Sequence, residues 1–314
     1  MLRSWWKRIE AFLSGSKTSL LRRVLLTSIL VVPALIFVAY QTWRSWEELR
    51  NYEWNVQPAL WSVVFLGYTA ALSCLLVAWN YIMGRLGKVS RFRTNARLYV
   101  LSGLSKRLPG FLWYMAGRAL LYREEGVPTS ISLTGSALEL ALTATSGLLA
   151  YFFTLPFIQT LPLGGFRLLI AGLLLVAGVA LLQPAVFNRV LSFFLRRMGS
   201  QAEIQVTYRD ILPPIPLYML AWGIGGVVIY ALSYSVYPLP IEVLPTAMSI
   251  WAASGTLTLL LSTFMLGFGT REIALSILLN LILPQPLAIV VALLFGLIYV
   301  LSELFWAGVL ALWR

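Results

Sequence analysis

The sequence predicts an all-α integral membrane protein. It reads as a polytopic helical bundle of about seven or eight membrane segments, with two broken or re-entrant hairpins arranged as an inverted repeat. Three observations predict it. Hydrophobic residues make up 59% of the chain and charged residues only 11%, against about 25% charged in soluble domains. The apolar residues form runs long enough to cross a hydrocarbon core of about 30 Å. Two of those runs are interrupted by glycine or proline and by ionisable groups, which are costly inside a bilayer and by default functional there. Polar residues are confined to short loops, so the chain divides into an interfacial amphipathic segment, residues 1–23, and a single transmembrane domain, residues 24–314.

Composition excludes several function classes. The net charge of +12 comes from 24 Lys and Arg against 12 Asp and Glu, clustered at particular span ends. Those ends are expected to face the cytoplasm and its anionic headgroups. No basic soluble module exists, so nucleic acid is not an expected partner. With one cysteine, Cys74, and no histidine, neither disulfides, zinc sites nor His-based catalysis is expected. The expectation is of no catalytic residue, no metal and no cofactor.

The elements follow in order. Leu2, Trp5, Trp6, Ile9, Phe12 and Leu13 share one helical face, as in a helix lying on a membrane surface. A first span, about Val24 to Trp43, follows Lys17, Arg22 and Arg23, which places the N-terminus in the cytoplasm. It is too long, and lacks the small-residue cleavage site, for a signal peptide. Residues 44–57 form an outer loop rich in tryptophan, and a second span, Ala59 to Met83, leads to Arg85, Lys88, Arg91, Arg93 and Arg97, the strongest positive-inside signal.

Leu98 to Tyr122 looks apolar but contains Lys106, Arg107, Pro109, Gly110, Gly117 and Arg118. Each side of Pro109 and Gly110 is about 11 residues, hence about 16 Å of helix, roughly half the core thickness. A re-entrant hairpin entered from the cytoplasm fits that length. Spans at Thr129 to Leu155 and Phe166 to Gln183 come next. Phe187, Val190, Leu191, Phe194, Leu195 and Met198, beside Arg189, Arg196 and Arg197, predict a second interfacial helix.

A span from Pro214 to Tyr237 crosses outward, and Thr246 to Leu266 and the short Ile273 to Leu283 flank Gly267-Phe268-Gly269-Thr270-Arg271-Glu272. These read as a second broken hairpin, entered from outside, before a last span from Leu287 to Trp313. One break then faces in and the other out, the pattern of an inverted repeat. The other reading is that Thr246 to Leu266 is an ordinary span and the topology flips after it.

A broken helix frees backbone groups that protein, water or ligand must satisfy, and a half-helix N-terminus favours an anion. In the second break, Gly267 and Gly269 permit close backbone approach, Thr270 can cap the next helix and Arg271 supplies a forked cation suited to phosphate or carboxylate. The structural alternative is a tight turn with Arg271 paired to Glu272 or Glu139. In the first break, Lys106 and Arg107 either line a polar cavity with Arg118 or snorkel to the interface. Glu139 lies about ten residues into its span and needs a partner, Arg118 or Arg271, or a proton. A structural ion pair and a proton-coupling or gating role are both open. Trp113, Tyr114 and Trp306 read most simply as interfacial anchors.

Lys106-Arg107-Leu108-Pro109-Gly110, Gly117-Arg118, Tyr122-Arg123-Glu124-Glu125-Gly126-Val127, Glu139 and Gly267-x-Gly-x-Arg271-Glu272, in this order, resemble the flippase-like transmembrane region of lysylphosphatidylglycerol synthases. The likeness runs over most of the chain, about Leu20 to Trp313. It implies a polytopic lipid-handling domain that moves a lipid from the inner to the outer leaflet. The chain stops after the last span without the soluble synthase domain, so aminoacyl transfer is not expected, and stand-alone relatives are linked to glycolipid or polyprenyl-lipid pathways. The expected function is therefore a flippase or scramblase-like transporter of the bacterial or archaeal inner membrane. Its partners would be an anionic phospholipid or polyprenyl/glycolipid substrate and, in those pathways, a glycosyltransferase or lipid-synthesis protein. Arg118, Arg271, Glu139, Glu272, Lys106 and Arg107 are the expected substrate-binding residues, and Pro109, Gly110, Gly117, Gly267 and Gly269 the backbone breaks. The rivals are a membrane-embedded enzyme acting on a lipid phosphate, with Glu139 or Glu272 as base, and a non-catalytic partner of a glycosyltransferase.

Overall fold

A computed structural model describes residues 40, 43, 44, 46–53, 58–107, 112–157, 164–197, 204–262 and 270–312. The expected N-terminal amphipathic helix and first span lie outside these residues, as do Pro109, Gly110, Gly267 and Gly269. Every regular element among the described residues is helical. In chain order they are α1 (Trp46–Asn51), α2 (Pro58–Gly87), α3 (Phe92–Gly103), α4 (Leu112–Glu124), α5 (Thr129–Thr154), α6 (Gly164–Leu181), α7 (Pro184–Arg197), α8 (Tyr208–Ile211), α9 (Ile215–Tyr234), α10 (Leu244–Ser262), α11 (Thr270–Leu279) and α12 (Gln285–Leu312).

This is an all-helical membrane protein. Helices α2, α5, α12 and the α8–α9 run are long and apolar enough to cross a bilayer, and the α6–α7 pair gives a fifth candidate bent by 77°. Pro184 opens α7, and its missing N–H and fixed φ end the α6 ladder at the bend. Helix α7 is more than a one-faced amphipath: Phe187, Leu191 and Leu195, at helical spacing of four, pack into the core, while Val190, Phe193 and Phe194 stay exposed. The sequence put Phe187, Val190 and Phe194 on one face; burial separates them.

Two further differences have simple causes. The loop expected over residues 44–57 contains the helix α1, and α3 starts at Phe92 inside the basic run. Lys and Arg are good helix formers, so a basic stretch beside an apolar one extends the helix. The turn from α4 to α5 follows from Gly126, whose φ of +81° is the left-handed conformation that glycine adopts without cost. The N–H of Gly126 reaches the Arg123 carbonyl at 3.1 Å and that of Val127 reaches Tyr122 at 3.0 Å, so the helix end is satisfied before Pro128 starts α5.

Helices α3 and α4, of 12 and 13 residues, are about 18–20 Å long and pack on one another rather than forming one rod. Helices α10 and α11 do the same around the undescribed residues 263–269. Two units therefore share one order of four packed helices, with two short helices in the middle of the first and, in the second, a helix of 19 residues followed by one of 10. They are α2-α3-α4-α5 and α9-α10-α11-α12. Each helix packs on the next within both units, and the first packs on the last in both. Between units, α2 lies on α9, α3 on α12 as α10 lies on α5, and α2 on α12 as α9 lies on α5. The pattern is unchanged when the units are exchanged.

Glycines tighten the seams between these helices. A Cβ on Gly147 of α5 would overlap Thr256 and Trp222, and one on Gly226 of α9 would overlap Met248. Among the described residues the buried apolar side chains form three clusters. One cluster joins α9, α10, α11 and α12 around Leu232, Ile250, Leu279 and Val291, and another joins α2, α3, α4 and α12 around Trp79, Met83, Leu98 and Tyr122.

Candidate functional site

Each unit sets one arginine against three aromatic rings. In the first, Arg118 comes from the middle of α4 and is 0% exposed. Its guanidinium carbon lies 4.1 Å from the centre of the Trp79 ring, 4.5 Å from Tyr99 and 5.4 Å from Tyr114. These π faces attract the cation most strongly when water is excluded. Arg118 Nη1 donates to Glu139 Oε2 in a buried ion pair, and Nε donates to Ser102 Oγ at 3.0 Å. The other carboxylate oxygen, Oε1, accepts the Tyr99 hydroxyl at 2.6 Å.

That pair rests on a second layer of hydrogen bonds. Trp79 Nε1 donates to the Tyr122 hydroxyl at 2.8 Å, which donates to Asn95 Oδ1 at 2.7 Å. Asn95 Nδ2 then donates to Asn80 Oδ1 and to the Val89 carbonyl, both at 2.8 Å. The chain of bonds links α2, α3, α4 and the loop between α2 and α3, so the rings over Arg118 are fixed in place. Gly117 allows the close approach of α4, since a Cβ there would lie 3.0 Å from Ser105 Oγ. Near this pair Arg118 Nη2 and the Ser132, Ser136 and Tyr218 hydroxyls are buried without hydrogen-bond partners.

In the second unit Arg271 stands at the start of α11. Its guanidinium carbon lies 4.2 Å from the centre of the Trp251 ring and 5.1 Å from Phe295 and from Tyr299. Among the described residues no carboxylate forms an ion pair with it, and its Nε is buried without an acceptor. The neighbouring Glu272 points its carboxylate at α12, where a Cβ on Gly296 would meet Oε1 at 2.9 Å. Trp251 Nε1 is a second buried N–H without an acceptor.

Of the expected site residues, the structure joins Arg118 to Glu139 and places Gly117 beside them. Arg271 has neither Glu139 nor Glu272 as an ion-pair partner, so the purely structural pairing considered from the sequence is absent among the described residues. Lys106 and Arg107 close a 3-10 turn, Leu104–Arg107, at the end of α3, and their side chains lie outside the described residues. The carboxylate of Glu303 on α12 approaches α3, with Oε1 3.3 Å from a Cβ built on Gly103.

Sequence reasoning missed the rings. Trp79, Tyr99, Trp251, Phe295 and Tyr299 carried no signal apart from the apolar runs around them, and Tyr114 was read as an interfacial anchor. It is 6% exposed and lies one helical turn before Arg118, a spacing that brings the two side chains together. Trp306 likewise turns inward, its indole N–H donating to Thr69 Oγ1 at 3.1 Å.

Among the described residues no group of three or more His, Cys, Asp or Glu is placed to hold a metal ion. What the site offers is two guanidinium groups against aromatic rings, Arg118 paired with Glu139 and Arg271 with its Nε unmet. No family model matches the chain, and no curated protein matches it in sequence.

Proposed function

We propose that the chain is a membrane lipid transporter, a flippase or scramblase-like protein that passes an anionic phospholipid or a polyprenyl or glycolipid headgroup between leaflets. One observation carries this reading: two units of the same order, packed in a pattern that survives their exchange, each place one arginine on the third of four packed helices, against three aromatic rings. An arginine at the bilayer centre costs about 2.5–3.5 kcal/mol on insertion scales, so two of them need a use. Recognition of a lipid phosphate supplies one.

In this reading α3–α4 and α10–α11 are re-entrant hairpins that turn back within the bilayer, and α2, α5, α9 and α12 are the spans that flank them. The first hairpin opens to the cytoplasm and the second to the outside, so the units form an inverted repeat. Short helices of 10 to 13 residues support that assignment for α3, α4 and α11, being about half of what the hydrocarbon thickness requires. The headgroup travels between the hairpins while the acyl chains stay in lipid, and Lys106 and Arg107 attract it at the inner mouth. In this reading Arg271 binds its phosphate, while Arg118, already paired with Glu139, holds the inner hairpin in place. The protein works in a bacterial or archaeal inner membrane with its N-terminus in the cytoplasm.

Reconstitution tests this. Liposomes carrying headgroup-labelled phosphatidylglycerol in both leaflets are exposed to a membrane-impermeant reductant. Loss of fluorescence beyond the outer-leaflet fraction, reduced at least about tenfold in rate by Arg271→Gln, supports transport. Quenching that stops at the outer fraction for phosphatidylglycerol and for a polyprenyl phosphate alike refutes it.

A further inference from the structure

The two arginine sites differ at corresponding positions. Glu139 is the eleventh residue of α5, and Phe295 is the eleventh residue of α12. Tyr99 is the eighth residue of α3, and Trp251 is the eighth of α10. In the first unit these two positions hold a tyrosine donating to a glutamate at 2.6 Å. In the second they hold a tryptophan packed edge-on against a phenylalanine, with ring centres 5.1 Å apart and planes at 68°. The same geometry is thus filled by a resident anion on one side and by a ring on the other.

We infer that the Trp251–Phe295–Tyr299 cage of Arg271 is a binding site for one external, singly charged phosphodiester, and that Phe295 is the residue that keeps it open to that ligand. Glu139 occupies Arg118 from within. Phe295, in the equivalent place, attracts the cation through its π face and supplies no oxygen. The rings over the guanidinium leave only its edge for binding, where the planar fork of N–H groups matches two oxygens of one phosphate. Arg271 Nε is a buried donor without an acceptor, and a buried donor left unmade costs about 1–3 kcal/mol. A diester carries one negative charge and neutralises one arginine; a monoester dianion would leave a charge uncompensated in the membrane. Glu272, aimed at Gly296, does not compete for the fork.

The inference rests on the transport reading for its cargo, but binding alone tests it. The purified full chain in neutral detergent is titrated by calorimetry with short-chain phosphatidylglycerol, short-chain phosphatidylcholine and dimethyl phosphate. The expected result is saturable one-to-one binding of phosphatidylglycerol, at least about tenfold weaker for phosphatidylcholine, whose cationic choline cancels its net charge. Phe295→Glu should weaken phosphatidylglycerol binding by at least about tenfold while Phe295→Gln, of the same shape and uncharged, stays within about threefold of wild type. Equal losses in these two variants would overturn the inference, because packing rather than charge would then be responsible. Should Phe295→Glu fail to fold, Arg271→Lys decides: it keeps the charge and loses the fork, and wild-type affinity in it overturns the site. Binding of dimethyl phosphate as tight as that of the lipid supports the site and assigns it a soluble diester, which sinks the lipid-transport reading instead. Transport that survives Arg271→Gln alongside lost binding leaves the site standing and refutes the proposed route; transport and binding that both survive it refute the site and the route through it.

Discussion

Arg118 and Arg271 are held by the same means, three aromatic rings each, yet among the described residues only one of them meets a carboxylate. The first site is closed on itself: ion pair, tyrosine hydroxyl, serine and a train of hydrogen bonds through Tyr122 and Asn95. The second is a ring-lined cation with its Nε unmet. The difference teaches how a membrane domain can keep one buried and one half-buried cation at different cost. Aromatic faces make an arginine tolerable, since each contact contributes about 0.5–2 kcal/mol depending on desolvation. A carboxylate makes it permanent. An arginine stabilised only by rings remains able to take an anion from elsewhere.

The largest effect is expected from breaking the closed site. Glu139→Gln leaves Arg118 buried and unpaired, a change that costs about 3–5 kcal/mol, and should lower the midpoint of thermal unfolding in detergent more than any other single substitution in either site. Replacing both partners, Arg118→Met with Glu139→Leu, should recover much of that loss, because an apolar pair of similar volume has no charge to desolvate. A double variant less stable than Glu139→Gln would show that the pair itself, and not the orphaned charge, carries the stability.

Asn95→Leu comes next. It removes the acceptor of the Tyr122 hydroxyl and the links to Asn80 and Val89, and should cost about 1–3 kcal/mol by leaving buried polar groups unmade. The same unfolding measurement checks it. Arg271→Gln sharpens the comparison from the other side. Its charge has no carboxylate partner to orphan among the described residues, so the loss of stability should stay below the about 3–5 kcal/mol expected of Glu139→Gln, while transport falls. A drop in stability equal to that of Glu139→Gln would mean that the two sites are alike after all.

The smallest effect sets the scale. Arg97 pairs with Glu125 at 2.8 Å, with both side chains partly open to solvent. Arg97→Gln should change stability by about 0–1 kcal/mol and lose even that in high salt. Unfolding midpoints measured at two salt concentrations would decide it.

The helices and the breaks between them were legible because bilayer thickness and the cost of exposed backbone leave few choices. Thr129 was expected to start a span and starts α5; Leu98 to Tyr122 was expected to break near Pro109, and α3 and α4 lie on either side of that point. Glu139 announced itself as a buried acid that needed Arg118 or Arg271, and spacing could not choose between them. The choice was made by Gly117 and Ser102, which let α4 approach α3 and orient the guanidinium. The rings were illegible for a different reason: aromatic residues in a membrane protein serve as interface anchors, packing and cation shelters alike, and composition does not separate these. Tyr114 and Arg118 alone, four apart on one helix, carried a usable hint. The equivalence of Glu139 and Phe295 needed helix boundaries that only the structure provides.

Helix α6 gains a meaning from simple counting. In the proposed arrangement a hairpin returns the chain to the side it came from, so each unit contributes an even number of crossings, and two such units in series would run in the same sense. A single additional crossing reverses the second relative to the first. In that arrangement helix α6, which meets α7 at a bend of 77° before α9 begins, would be the odd traverse: parity, supplied by one helix, is what would turn a duplicated fold into an inverted gate.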